Sequence, residues 1–193
     1  LEVLLPVQIL WINLVTDSLP ALALAYDPAE KGIMKKKPMK NTKGIFTKGM
    51  TWRIIYQGIM IGLLTLTAFI LGLATTTEAM AGLTLAETKI EVGQTMAFIT
   101  LALAELVHVF NVRNNKDSIL KSNPFNNKTL LLAIFASAAL MFVVLLVPSL
   151  RNVFGIVALP LENIGETALL VFSPFIIVEI FKLLKINGTK SEE

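Results

Sequence analysis

The chain has 193 residues, of which 54% are hydrophobic and 16% charged, and its mean hydropathy is +0.70. Soluble domains average about 45–50% apolar and about 25% charged residues, so this composition indicates a chain surrounded mostly by lipid. No cysteine is present, which excludes disulfide frameworks, thiolate zinc sites and iron–sulfur sites. The net charge of +3 indicates no nucleic-acid partner, because only Phe46 and Phe125 among the basic runs could stack on bases.

Five apolar stretches follow one another along the chain, and crossing a bilayer takes about 20 such residues. The predicted spans cover residues 3–26, 54–74, 92–112, 129–148 and 165–184, the last being weaker because Glu179 interrupts it. The predicted fold is therefore an all-α integral membrane domain over residues 1–193, with five transmembrane helices. Gly58 and Gly62 form a GxxxG pattern, which indicates either close helix contact or ordinary glycine use in membrane helices.

The basic residues between the spans predict the orientation. All but Lys89 and Arg151 of the 17 basic residues fall in the loop from Asp27 to Trp52 or at its edge, after the third span, or at the C-terminal end. The positive-inside rule makes that side the cytoplasm, so the N-terminus lies outside and the C-terminus inside. Because Leu1 is not methionine and no signal precedes it, an earlier span is expected upstream.

The first span carries a group of oxygen-bearing side chains. Asn13, Thr16 and Asp17 are spaced i, i+3 and i+4, which places them on one face of an α-helix. An ionised carboxylate inside a membrane costs several kcal/mol if it is unpaired, so Asp17 is a functional residue by default.

Two prolines suggest that this helix is broken. Pro20 has no N–H, so the carbonyl of Thr16 loses its helical partner, and Pro6 does the same for Glu2. Irregular backbone at membrane depth is tolerated only where it is buried in protein or lines a cavity. Broken helices build ion sites in transporters from freed carbonyls and side-chain oxygens, so the first span is predicted to bind an ion.

The third span supplies a second intramembrane carboxylate, Glu105. Its polar neighbours are Thr95, Thr100, His108 and Asn111. Two carboxylates, an amide oxygen and a hydroxyl form an all-oxygen set, which hard cations prefer, and calcium takes about six to eight such ligands. His108 is the only histidine, which argues against zinc or copper, and it is interpreted as structural.

A structural interpretation remains possible for the carboxylates Asp17 and Glu105, and is preferred for Glu179. Asp17 and Glu105 could share a proton in a hydrogen bond that only joins two helices, although intramembrane carboxyls are usually functional. Glu179 is interpreted as structural, because it lies near the cytoplasmic end where snorkelling and an i, i+3 pair with Lys182 suffice.

Three segments of the sequence resemble P-type calcium pumps. PVQILWINLVTDSLPALALAYDP, residues 6–28, resembles the sixth transmembrane helix of that family. GIMKKKP, residues 32–38, is similar to its loop between helices six and seven, and QTMAFITLALAE, residues 94–105, to its eighth helix. The resemblance runs from end to end and implies helices six to ten, the C-terminal half of the ten-helix membrane domain.

The resemblance also implies a set of metal ligands. Family positions matching Asn13, Thr16, Asp17 and Glu105 coordinate the transported calcium, and the position of Asp17 bridges two ions where two are bound. Sodium/potassium pumps carry an aspartate where Asn13 stands, so Asn13 favours calcium. Glu105 favours the sarcoplasmic-reticulum-like subtype over calcium/manganese pumps of the secretory pathway. By contrast, residues 24–26 are more similar to the sodium/potassium branch.

The family's catalytic motifs do not occur in this sequence. It has no DKTGT phosphorylation motif, no TGES motif and no nucleotide-binding domain, and the family's fourth and fifth helices do not match any part of it. No catalytic residue is therefore assigned, and the chain alone should neither hydrolyse ATP nor complete the ion site. ATP and magnesium are expected in cytoplasmic domains of the same pump, which together with its N-terminal helices and the bilayer are the expected partners.

The expected function is the membrane part of an ATP-driven calcium pump with proton countertransport on the emptied carboxylates. The expected location is the plasma membrane of a prokaryote or an organelle membrane. The alternatives are a monovalent-cation pump, a cation porter or channel without ATP use, and a structural membrane scaffold. The loop from Asp27 to Lys48 is interpreted either as a contact with the phosphorylation domain or as a charge run that fixes topology.

Overall fold

The computed structural model describes residues 2–27, 34, 48–113 and 126–184. Its helices, in chain order, are α1 (Pro6–Trp11), a π-helix (Ile12–Asp17), α2 (Ser18–Leu24), α3 (Lys48–Thr75), α4 (Leu85–Arg113), α5 (Lys128–Leu146), α6 (Pro148–Phe154) and α7 (Leu161–Leu183). Within these described residues, five helical segments are long and apolar enough to cross a membrane. They are Pro6–Leu24, Gly49–Thr75, Leu85–Arg113, Lys128–Leu146 and Leu161–Leu183. The prediction of an all-α fold with five membrane helices is confirmed.

Several helices extend beyond the predicted apolar spans. Helix α3 begins at Lys48, inside the segment predicted as a loop as far as Trp52. Helix α4 begins at Leu85, where the Thr84 hydroxyl accepts from the backbone N–H of Glu87 at 3.3 Å and the Glu87 carboxylate accepts from that of Thr84 at 2.8 Å. This reciprocal capping box starts the helix in polar sequence. A hydropathy reading finds the apolar centre of a helix and misses such polar ends.

The short helix α6 was not predicted, because seven residues leave no usable apolar period. Pro148 stands in its first turn, where a missing N–H is harmless. Gly155 ends it with a φ of 60°, a left-handed conformation that favours glycine. Helix α6 packs against the start of the first span, where the Trp11 ring meets the Phe154 ring edge-on with centroids 5.2 Å apart.

Helix α4 is the centre of the bundle. About half of its most apolar window is buried, 56% against 22–28% for the other four spans, and it packs on α3, α5, α7 and the π-helix. Phe98 and Ala102 of α4 form a buried cluster with Ile12, Met141 and Phe154. The side chains of α4 are therefore positioned by contacts with helices on several sides.

Two glycines outside the predicted GxxxG pattern make a close backbone contact between helices. A Cβ added to Gly72 of α3 would lie 2.6 Å from the Cα of Gly93 of α4. In the described part of the chain, a Cβ at Gly58 or Gly62 would meet nothing within 4 Å, so the GxxxG pattern makes no close contact there. Small residues let two backbones approach, and here they do so where α3 crosses α4.

Some predictions concern segments outside the described residues. These are the basic loop over residues 28–47 apart from Met34, the basic segment over residues 114–125, and the C-terminal residues 185–193. The proposed contact between the first of these loops and a phosphorylation domain therefore remains a prediction.

Candidate cation site

The first span changes its hydrogen-bonding pattern at membrane depth. It is α-helical at both ends and a π-helix from Ile12 to Asp17. Hydroxyl groups from outside this wider segment bind two of its carbonyls: Ser18 donates to the carbonyl of Asn13 at 2.7 Å, and Ser137 of α5 donates to that of Val15 at 3.0 Å. Single-turn π segments occur frequently at functional sites.

Pro6 does not break the helix as predicted. Pro6 stands in the first turn of α1, so it begins the helix and does not interrupt it. The Glu2 carbonyl, ahead of that helix, accepts a hydrogen bond from Nε2 of Gln94 on α4 at 2.8 Å. Pro20 is buried inside α2, just after the π-helix. The π-helical segment therefore contains the candidate ligands, and it lies just before Pro20 and well after Pro6.

The wider turn separates the three oxygen-bearing side chains of the first span. Asn13 and Asp17 are exposed, whereas Thr16 is 1% exposed and its hydroxyl donates to the Ile12 carbonyl at 2.9 Å. An i→i+5 helix has more residues in each turn than an α-helix, so position i+3 falls further short of a full turn. The expectation of one shared face was drawn for an α-helix, and it describes Asn13 and Asp17 but not Thr16.

Glu105 brings the second carboxylate to the same place. The carboxyl groups of Asp17 and Glu105 lie close enough to interact with each other. Oε2 of Glu105 is buried and has no hydrogen-bond partner among the described residues. The structure therefore brings together two acidic groups from the π-helix and α4, and they would repel each other when both are ionised.

The polar neighbours of Glu105 on α4 have mixed roles. The Thr95 hydroxyl accepts from the backbone N–H of Val157 at 3.1 Å, and Nδ2 of Asn111 donates to the Pro174 carbonyl at 3.2 Å. Thr100 and both ring nitrogens of His108 are buried without a hydrogen-bond partner in the described part of the chain. Thr95 and Asn111 therefore fasten α4 to its surroundings.

Sequence reasoning missed residues that support the site. Gln94 and Ser137 each donate to a backbone carbonyl of the first-span region, and Gln8 donates to the Phe154 carbonyl at 2.9 Å. Their signal was present, since each is a polar side chain inside an apolar stretch. The pair of Glu179 and Lys182, by contrast, is predicted from the sequence, and the structure confirms it at 3.0 Å.

The donor set suits a hard cation but does not enclose one. The described residues contain no group of three or more His, Cys, Asp and Glu side chains that could hold a metal ion. Two carboxylates with neutral oxygens beside them fall short of the six to eight ligands that calcium takes. A separate cavity of about 670 Å³ between α4, α5 and α7 has mostly apolar walls, including Ile99 and Phe142, so it offers no alternative cation site.

Comparison with known proteins identifies the family of the chain. Residues 1–184 match the family described as cation transporting ATPase, C-terminus. The chain is 38% identical over 187 residues to "Calcium-transporting ATPase 1" of Bacillus cereus, covering 94% of this chain and 21% of that protein. It is 41% identical over 156 residues to "Calcium-transporting ATPase" of Bacillus subtilis, covering 81% and 16% respectively.

A plant relative shows the same relationship at greater distance. "Calcium-transporting ATPase 4, endoplasmic reticulum-type" of Arabidopsis thaliana is 30% identical over 233 aligned positions, covering 97% of this chain and 22% of that protein. The chain thus spans 16–22% of the length of these three relatives. With a family match over nearly all of its residues and five membrane helices, the chain belongs to the cation-transporting P-type ATPases, as their C-terminal membrane part.

Proposed function

We propose that this chain supplies cation ligands to an ATP-driven calcium pump of the sarcoplasmic-reticulum-like subtype. The observation that carries the proposal is the meeting of Asp17, on a π-helical segment at membrane depth, with Glu105 on the central helix. Relatives named as calcium-transporting ATPases support calcium over a monovalent ion. Asn13, on the exposed side with Asp17, adds a neutral oxygen, and Glu105 supports the subtype.

The exposure of Asp17 and Asn13 supports a larger protein around the site. A charged side chain facing lipid at the centre of a bilayer costs about 2.5–3.5 kcal/mol or more. The exposed face of the π-helix is therefore expected to meet further protein or a water-filled cavity, not acyl chains. N-terminal helices of the same pump fit this position and would provide the remaining oxygens, while its cytoplasmic domains would use ATP and magnesium.

A transport step follows from the charges of the pair. Bound calcium neutralises Asp17 and Glu105, so both remain ionised while the ion is present. When the ion leaves, two like charges at membrane depth cannot both stay ionised without a large cost, and one carboxyl takes up a proton. Return of that proton to the other side makes the pump a calcium/proton exchanger. We place the C-terminus in the cytoplasm. The membrane is the plasma membrane of a prokaryote or an organelle membrane.

The decisive experiment is Asp17→Asn in the full-length pump. The substitution keeps the size of the side chain and removes the charge that attracts the ion, so calcium-dependent phosphorylation from ATP should disappear. The measurement is phosphoenzyme formed from labelled ATP as calcium is varied. Asn13→Ala should weaken calcium dependence less, because it removes a neutral ligand.

The matched control is Glu179→Gln, which neutralises another carboxylate of the membrane region. Glu179 pairs with Lys182 within α7, so the variant should keep its calcium dependence. Unchanged calcium dependence in Asp17→Asn would remove Asp17 from the site. Loss in both variants would mean that neutralising a carboxylate of the membrane region disables the protein in general, and the ligand assignment would then have no support.

A further inference from the structure

A second charged cluster lies away from the carboxylate pair, where the first and third spans end. Nε of Arg113, at the last residue of α4, donates to both carboxylate oxygens of Asp27, at 2.9 and 3.0 Å. The Arg113 side chain is 8% exposed and that of Asp27 29%. The two oxygens share one N–H of a charged donor, a three-centre, charge-assisted contact, so the end of α4 is tied to the end of the first span.

Asn127 joins a third helix to the same point. Its Nδ2 donates to Oδ1 of Asp27 at 3.1 Å and to the Ala23 carbonyl of α2 at 3.2 Å. Its Oδ1 accepts from the backbone N–H of Leu130 at 2.9 Å, which caps α5. The side-chain amide of Asn127 therefore links the start of α5 to the end of the first span and to Asp27, which in turn binds Arg113 of α4.

The cluster and the cation site share two helices. Asp27 follows Asp17 by ten residues at the end of the first span, and Arg113 follows Glu105 by eight residues on α4. At 1.5 Å of rise per helical residue, the ion pair lies roughly 12–15 Å along each helix from its carboxylate. Both carboxylate-bearing segments are thus tied to each other at one end, and their separation there limits how far apart Asp17 and Glu105 can move.

We propose that Asp27, Arg113 and Asn127 form a clamp that sets the spacing of the two ligand-bearing helices and thereby the cation affinity of the site. The proposal rests on the function proposed above. These are positioning residues, since none of the three reaches the carboxylate pair. The clamp also places Asp27, the first residue of the basic loop, in a contact within the membrane domain, so a change in that loop would reach the ion site through this residue.

A double-mutant cycle in the full-length pump tests the clamp. The variants are Asp27→Asn, Arg113→Gln and both together, and the readout is the calcium concentration that gives half-maximal phosphorylation from ATP. Each single variant should lower apparent calcium affinity about fivefold or more, the lower end of couplings between distant sites. The double variant should have the same apparent calcium affinity as the single variant whose affinity is lower, because the second substitution has no remaining ion pair to break.

Asn127→Asp provides a second, independent perturbation. It keeps the oxygen that caps α5 but replaces the two donated hydrogen bonds with a negative charge facing Asp27. Calcium affinity should fall, and adding Asp27→Asn should restore it no further than the level of Asp27→Asn alone, because the repulsion is removed but the clamp stays broken. Phosphorylation from inorganic phosphate without calcium counts the folded pump in every sample. Glu179→Gln is the control, because it neutralises a carboxylate whose ion pair with Lys182 is made within its own helix.

The outcomes separate the clamp from the proposed function. A wild-type pump whose phosphorylation ignores calcium refutes the function itself. With a calcium-dependent wild type, the clamp is overturned if the single variants stay within about twofold of it, or if their effects multiply as those of independent sites do. A loss in Glu179→Gln as large as in Arg113→Gln would also overturn it, because the effect would then be general.

Discussion

Gly72→Ala tests whether backbone contact between α3 and α4 holds the central helix in place. The added methyl carbon would lie 2.6 Å from the Cα and 2.8 Å from the backbone nitrogen of Gly93. Ordinary contacts of a Cβ begin at 3.4 Å, and neither of these atoms can rotate away. The two helices must therefore separate by about 0.8 Å, from 2.6 to 3.4 Å, at the point where they cross.

The cost follows from the neighbouring contacts. Ala68, Val92 and Met96 are fully buried around this crossing. A gap of about 0.5–1 Å forfeits a quarter to a half of the dispersion energy of each contact, and overpacking of this kind costs about 1–3 kcal/mol. Because backbone meets backbone, we expect Gly72→Ala to cost about 2–3 kcal/mol, the upper part of that range.

Gly58→Ala is the matched control on the same helix. A Cβ there meets nothing within 4 Å in the described part of the chain. In a helix interior, alanine is more stable than glycine by about 0.5–1 kcal/mol. The assay is thermal unfolding of the purified full-length protein in detergent, followed by the fraction that remains monodisperse. Gly72→Ala should melt clearly below the wild type and Gly58→Ala at or above it. Equal melting of the two variants would refute the close crossing.

Three further predictions concern other parts of the chain. Gln8→Leu should destabilise the protein by about 1–3 kcal/mol for each of the two backbone groups that lose a partner, at Leu5 and Phe154, and thermal unfolding measures it. Lys89 should react with an impermeant amine reagent only from outside, since the segment between the second and third predicted spans carries few basic residues, and labelling from the cytoplasm contradicts the proposed orientation. Glu105→Gln should lower the protons moved per calcium in sealed vesicles with clamped potential, and an unchanged count shows that Glu105 does not carry the proton.

Much of the fold could be predicted because the bilayer leaves few choices. A span needs about 20 apolar residues and must satisfy its own backbone, so hydropathy alone locates five helices. The same constraint marks Asp17 and Glu105, since a carboxylate in an apolar span is costly without a function. The pairing of Glu179 with Lys182 could also be predicted, because positions i and i+3 are neighbours on any α-helix.

What only the tertiary structure decided depends on partners remote in sequence. The π-helix from Ile12 to Asp17 cannot be told from an α-helix by its residues, and one of its carbonyls is bound by Ser137, more than a hundred residues away. The crossing at Gly72 needed the position of Gly93, which a local GxxxG pattern does not supply. Asp27 and Arg113 are 86 residues apart. Local sequence sets which segments are helical, whereas helix register and crossing points come from packing that no single segment contains.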